Sequence, residues 1–145
     1  MRPPSFFWWC WLVAVTAGVI VFGLAMVLAP GLTQAFFNRL LFGSTAPPAA
    51  FGAPVVDYLV FVYGVLGAVM VGWGVALLVL VAGPVRRGDA SGWWAVCASL
   101  AVWFVIDSTF SVASGHWPNA GLNLAFFVLY AVPLAATRPA PTSHG

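Results

Sequence analysis

The chain has 145 residues, 63% of them hydrophobic and only 6% charged, and its mean hydropathy is +1.03. A water-soluble domain of this size cannot keep so much apolar side chain away from water, so the composition excludes that class and makes a bilayer the solvent. Five arginines and three aspartates, without lysine or glutamate, leave a net charge of +2 scattered along the chain, which excludes the clustered basic face of a nucleic-acid binder.

The first apolar stretch runs from about Phe7 to Ala29 and stops at Pro30-Gly31. It is longer than a signal-peptide core of roughly 7–15 residues, opens on Phe6-Phe7-Trp8-Trp9 and lacks an Ala-x-Ala cleavage site, so it reads as a retained span. In the connection that follows, Leu32, Phe36, Phe37, Leu40 and Leu41 recur at helical spacing between Thr33, Gln34, Asn38 and Arg39. This predicts a short amphipathic helix lying in the membrane interface and capping the bundle. Gly43-Ser44-Thr45-Ala46-Pro47-Pro48 then reads as an irregular linker.

A second span covers Val55 to Ala82. It would be about 42 Å long against a hydrocarbon core of about 30 Å, and is expected to tilt or protrude. Asp57 falls near its start, where a carboxylate suits a helix N-terminus. Gly64, Ala68, Gly72 and Ala76, four apart, form a strip of small residues through which this span is expected to pack centrally against another helix, a homodimer seam being the competing use. After the breaker-rich turn around Arg86-Arg87, a third span covers Trp93 to about Ala113 and a fourth Asn119 to Ala136, followed by a loose tail over 138–145.

The expected architecture is therefore all-α: one domain, a four-helix membrane bundle plus an interfacial helix. Arg2, Arg86, Arg87 and Arg138 on one side against Arg39 on the other put both termini in the cytoplasm by the positive-inside rule, in the inner membrane of a cell. Arginine used without lysine, beside abundant Ala, Gly, Val and Pro, fits a GC-rich bacterial genome. Trp8, Trp9, Trp11, Trp93 and Trp94 would belt the inner face and Trp117 the outer one. Cys10 and Cys97 would share the reducing side and read as small packing residues rather than a disulfide or a zinc site.

The chemistry-bearing residues gather toward the outer side. Asp107, Ser111 and Ser114 lie at i, i+4 and i+7 and share a helix face, as do Asn119 and Asn123 across the turn, with Tyr130 two turns further. Asp107 would lie about 9 Å below the outer end of its helix. A carboxylate costs about 2.5–3.5 kcal/mol at mid-membrane, so it faces the bundle interior with a partner. Asn123, Ser111, His116 or a folded-back Arg39 are the candidates, and Asp57 belongs to the same outer side. Structural glue between helices is the competing role for the whole cluster.

Phosphate-binding loops, H-E-x-x-H, G-x-S-x-G and paired redox cysteines are all missing, and no motif calls for a metal or a cofactor. The leading expectation is a non-enzymatic structural or accessory membrane component whose partners are lipid and, with them, a second copy or another membrane protein. The alternative is binding or transport of a small amphipathic molecule or a proton through the cluster around Asp107. An open cavity where Asp107, Asn123 and His116 converge would favour the second.

Overall fold

A computed structural model describes residues 4–46 and 51–139. Arg2, the linker prolines Pro47 and Pro48, and the tail from residue 140, with His144, lie outside the described residues. Among the described residues five α-helices follow one another: α1 Phe6–Leu28, α2 Pro30–Phe42, α3 Ala53–Ala82, α4 Ala90–Ala113 and α5 Trp117–Ala136, with a 3-10 turn, Val85–Arg87, before α4. All but α2 are long and apolar enough to cross a membrane. The protein is a multi-pass membrane protein, and among the described residues it contains no strand.

The helix ends follow from local chemistry. Pro30 lacks an amide hydrogen and pushes the residue before it out of the helical region, so α1 stops at Leu28 and Ala29 takes φ −136°, ψ 57°. Because Pro30 also suits a first helical turn, α2 restarts at once. Asp89 caps α4, its carboxylate accepting from the Ser91 amide at 2.9 Å and the Ser91 hydroxyl at 2.8 Å. The tight turn from α4 to α5 passes through Gly115 at φ +80°, a conformation that side chains resist.

Packed antiparallel, α1, α3, α4 and α5 form a ring in that order, and α2 leans on α1, α3 and α5. The end at which α1 begins and α5 finishes is called the near end, the other the far end. The tightest pairs are α1 with α3 and α4 with α5. The core is concentrated toward the near end, where Leu12, Val19, Leu77, Val81, Val96 and Leu100 are buried. There the Tyr130 hydroxyl, fully buried, donates to Thr16 Oγ1 at 3.1 Å, and Thr16 donates in turn to the Leu12 carbonyl at 2.7 Å. Outward, Val21, Phe61, Val79 and Ile106 are each more than 60% exposed, a surface suited to hydrocarbon and not to water.

Four indole N–H groups tie the ring together, one for each neighbouring pair. Trp9 donates to the Val81 carbonyl at 3.1 Å, Trp11 to the Leu129 carbonyl at 3.0 Å, Trp93 to the Leu134 carbonyl at 2.9 Å and Trp73 to Ser99 Oγ at 2.8 Å. An indole in lipid has no water to bond, so a helix carbonyl or hydroxyl is its natural partner. Val81 and Leu134 lie in the last turns of their helices, where carbonyls are left outside the regular ladder; the Leu134 oxygen also accepts from the Thr137 amide at 3.2 Å. Arg86 stacks its guanidinium 4.7 Å from the Trp9 ring and closes the near end from outside. Trp9, Trp11 and Trp93 of the expected belt thus act as clasps, while Trp94 is exposed.

One expectation is corrected. The strip Gly64, Ala68, Gly72 and Ala76 does not pack inside the bundle: Ala68, Gly72 and Ala76 are exposed, and a Cβ added at Gly64 or Gly72 would meet nothing within 4 Å. The close helix approach uses other glycines. A Cβ on Gly67 would lie 2.6 Å from the Gly23 carbonyl oxygen, one on Gly23 would lie 2.8 Å from the Gly67 oxygen, and one on Gly74 would lie 2.7 Å from Ile20. The packed face of α3 is therefore Gly67, Gly74, Leu77 and Val81, roughly opposite the strip on a helix of 3.6 residues per turn.

The helix α2 forms over the expected residues. Thr33, Gln34 and Asn38 are buried, Phe37, Leu40 and Leu41 half-buried, and Leu32 and Phe36 exposed.

Candidate functional site

Toward the far end, residues of all five helices border one hollow, α2 among them. The space between them is a cavity of about 790 Å³, within the range of small-molecule sites. Its walls are apolar and aromatic. Phe22 and Met26 come from α1, Phe36, Phe37 and Leu41 from α2, Tyr63, Met70 and Trp73 from α3, Trp103 and Phe110 from α4, and Phe126 from α5. Several of these rings hold one another. Phe37 stacks on Tyr63 at 5.6 Å, Trp73 meets Trp103 at 5.7 Å, and Trp103 meets Phe126 edge-on at 6.4 Å.

Into this space the α4–α5 hairpin presents its polar face. Asp107, Ser111, Ser114, His116, Asn119 and Asn123 all line the cavity, so the helical spacing of four and the short turn through Gly115 do bring the two polar faces together. The burial is graded: Ser111 and Asn123 are buried, Asp107 and Asn119 half-buried, Ser114 and His116 exposed at the rim.

The hydrogen bonds differ from expectation in detail. Asp107 Oδ1 accepts from Ser111 Oγ at 3.2 Å and from Asn119 Nδ2 at 3.2 Å, and Asn119 Nδ2 also lies 2.8 Å from Ser111 Oγ. Of the candidate partners only Ser111 is one. Asn123 bonds Ser108 at 3.4 Å, His116 Nδ1 lies 3.1 Å from Ser114 Oγ, and Arg39 Nη1 donates to the Gly43 carbonyl at 2.7 Å. Asn119 reaches back across the hairpin; the N-cap of α5 is His116, which makes no side-chain cap bond. Both bonds to the carboxylate arrive at Oδ1. Oδ2 has no hydrogen-bond partner among the described residues and is not a sealed buried atom, and Asp107 itself lines the cavity.

Asp57 does not join this group. Because α3 begins at Ala53, Asp57 falls in its second turn, exposed and away from the cavity lining. Tyr130 shares the helix of Asn119 and Asn123 but is consumed by Thr16 in the core. Among the described residues no three His, Cys, Asp or Glu side chains gather into a metal-sized group. Cys97 lines a separate hollow of about 530 Å³ against α4 and α5 toward the near end, which lacks a converging polar group of this kind. The aromatic walls have no sequence signature, because rings bordering a cavity and rings packed in a belt have the same spacing.

Comparison with protein-family models, with curated proteins and with solved structures finds no match to the chain.

Proposed function

We propose that this membrane protein is a non-enzymatic component of a cell's inner membrane, with both ends of its chain in the cytoplasm, and that its far-end cavity binds a small amphipathic molecule. The orientation rests on arginine: Arg86, Arg87 and Arg138, with Arg2 in sequence, belong to the near end, and only Arg39 to the far end. In this frame α2 is the interfacial helix of the outer leaflet.

One observation carries the binding reading: a polar cluster ending in an open carboxylate oxygen lines one part of a cavity whose other walls are apolar. Structural glue does not call for a hollow of about 790 Å³ between helices, since packing in lipid depends on close contact. A purely structural or accessory bundle, docked to lipid, a second copy or another membrane protein, is the second reading. The Asp107–Ser111–Asn119 bonds favour it, because they join α4 to α5 whether or not a ligand is present.

The test is calorimetric titration of protein in lipid nanodiscs with triphenylphosphine oxide, a neutral aromatic amphiphile, against empty nanodiscs. Saturable binding is expected. Leu122→Trp, which fills the cavity, should abolish it, while Val128→Trp on the exposed face should not. Equal binding by wild type and Leu122→Trp would overturn the reading.

A further inference from the structure

The cavity has a consistent electrostatic sign. Its one formally charged side chain of fixed sign is Asp107; no arginine lines it, and Arg39, the arginine of α2, is exposed with its guanidinium on the Gly43 carbonyl. His116 is the other titratable group beside the carboxylate. It stands at the exposed rim with Nδ1 on Ser114 rather than on Asp107. From α3, Tyr63 contributes a ring stacked on Phe37, and Asp57 is not part of the lining.

The carboxylate is also held. Ser111 and Asn119 bond Oδ1 from two sides, and Oδ2 has no partner among the described residues. Aromatic rings line much of the cavity, and ring faces carry negative potential that attracts cations at close range. Trp73 has already given its indole N–H to Ser99, so its ring orientation is fixed by a bond outside the cavity. A buried or half-buried carboxylate is costly without a compensating positive charge, and the cavity's own side chains offer no permanent one.

We infer that the occupant is a lipophilic organic cation, its charge set against Asp107 Oδ2 and its apolar body against the aromatic walls. An anion would meet Asp107 and the ring faces with the wrong sign. A neutral amphiphile would fit the walls but leave the carboxylate unpaired. The inference rests on the reading of the cavity as a binding site and adds the charge of the ligand to it.

The experiment compares two probes of similar shape in the same nanodiscs, tetraphenylphosphonium and neutral triphenylphosphine oxide, each corrected for partition into empty discs. The expected result is at least tenfold tighter binding of the cation by the wild type. In Asp107→Asn the ratio of the two affinities should fall to about one. This variant keeps an Oδ1 for Ser111 and Asn119, and its melting temperature serves as the check on the fold. A cation preference that is absent from the wild type, or that persists in folded Asp107→Asn, overturns the inference while leaving the cavity reading standing. Should neither probe bind, the cavity reading falls and the inference with it. The wild-type ratio alone decides the matter if the variant does not fold.

Discussion

Trp11 donates its indole N–H to the carbonyl of Leu129 at 3.0 Å, and that carbonyl is the one Pro133 cannot serve. In an α-helix the amide of residue 133 would bond the oxygen of residue 129, but proline has no amide hydrogen, and Pro133 sits inside α5. The indole from α1 supplies the missing donor across the helix pair.

Trp11→Phe should therefore destabilise the bundle by about 1–3 kcal/mol, the range for leaving one polar group unsatisfied. Pro133→Ala should recover much of that loss, because it returns an amide to Leu129. A double-mutant cycle on unfolding in mixed micelles measures the coupling; purely additive effects would mean that the two residues do not share one carbonyl.

The glycine crossing gives a second expectation. Gly67→Ala drives a methyl group against the Gly23 backbone oxygen and the Met26 side chain, and should cost about 1–3 kcal/mol as an overpacked site. Gly72→Leu, which meets open space, should leave the fold within about 0.5 kcal/mol of wild type. Thermal unfolding of both variants separates the two faces of α3, and the oligomeric state of Gly72→Leu reports on a seam between copies.

Gln34 gives a substitution expected to stabilise. Its side chain is buried, and its Nε2 has no hydrogen-bond partner among the described residues. Gln34→Met keeps the length and removes the unpaired amide, and should raise stability by about 1 kcal/mol or more. A lower melting temperature would show that the amide does find a partner in the membrane.

Asn119→Ala removes the amide that reaches Asp107 Oδ1 and Ser111 Oγ. Hydrogen bonds between membrane helices average about 0.6 kcal/mol and reach about 1.7 kcal/mol, and the loss should fall in that interval. The cation preference should weaken as well, since the carboxylate is no longer held from the α5 side. Stability and probe affinity measured on one preparation check both.

The Asp89 cap gives a pH dependence with a definite sign. Hydrogen bonds from the Ser91 side chain and backbone hold the Asp89 carboxyl below the usual carboxylate range. A group whose folded pKa is depressed stabilises the fold above its unfolded value, about 3.9, and loses that contribution as pH falls through the lower folded value. The contribution should be present at neutral pH and vanish in acid below the ordinary aspartate range. Melting curves of wild type and Asp89→Ala should differ at neutral pH and converge in acid.

The elements were legible in the sequence to within a few residues, because apolar runs, Pro30 and the Gly83-Pro84 breaker report directly on where a helix can continue. The α4–α5 cluster was legible for the same reason: spacing of four and a short turn leave two polar faces little choice. Which face of α3 meets α1 was not. Gly64, Ala68, Gly72 and Ala76 announce a smooth strip, but Gly67 and Gly74 are equally small, and only the position of Gly23 on the partner helix selects between them. Which residues of α2 are buried is also not legible, since helical spacing names two faces without saying what each one meets. The reach of Asn119 back over the hairpin to Asp107 is a three-dimensional fact that spacing along one helix does not show.

The placement of the indole bonds has a mechanical consequence. Trp9, Trp11 and Trp93 anchor neighbouring helices through bonds that no cavity-lining residue shares, whereas Trp73 both borders the cavity and bonds Ser99. Substitutions of the other rings around the hollow should therefore reshape it without loosening those three anchors.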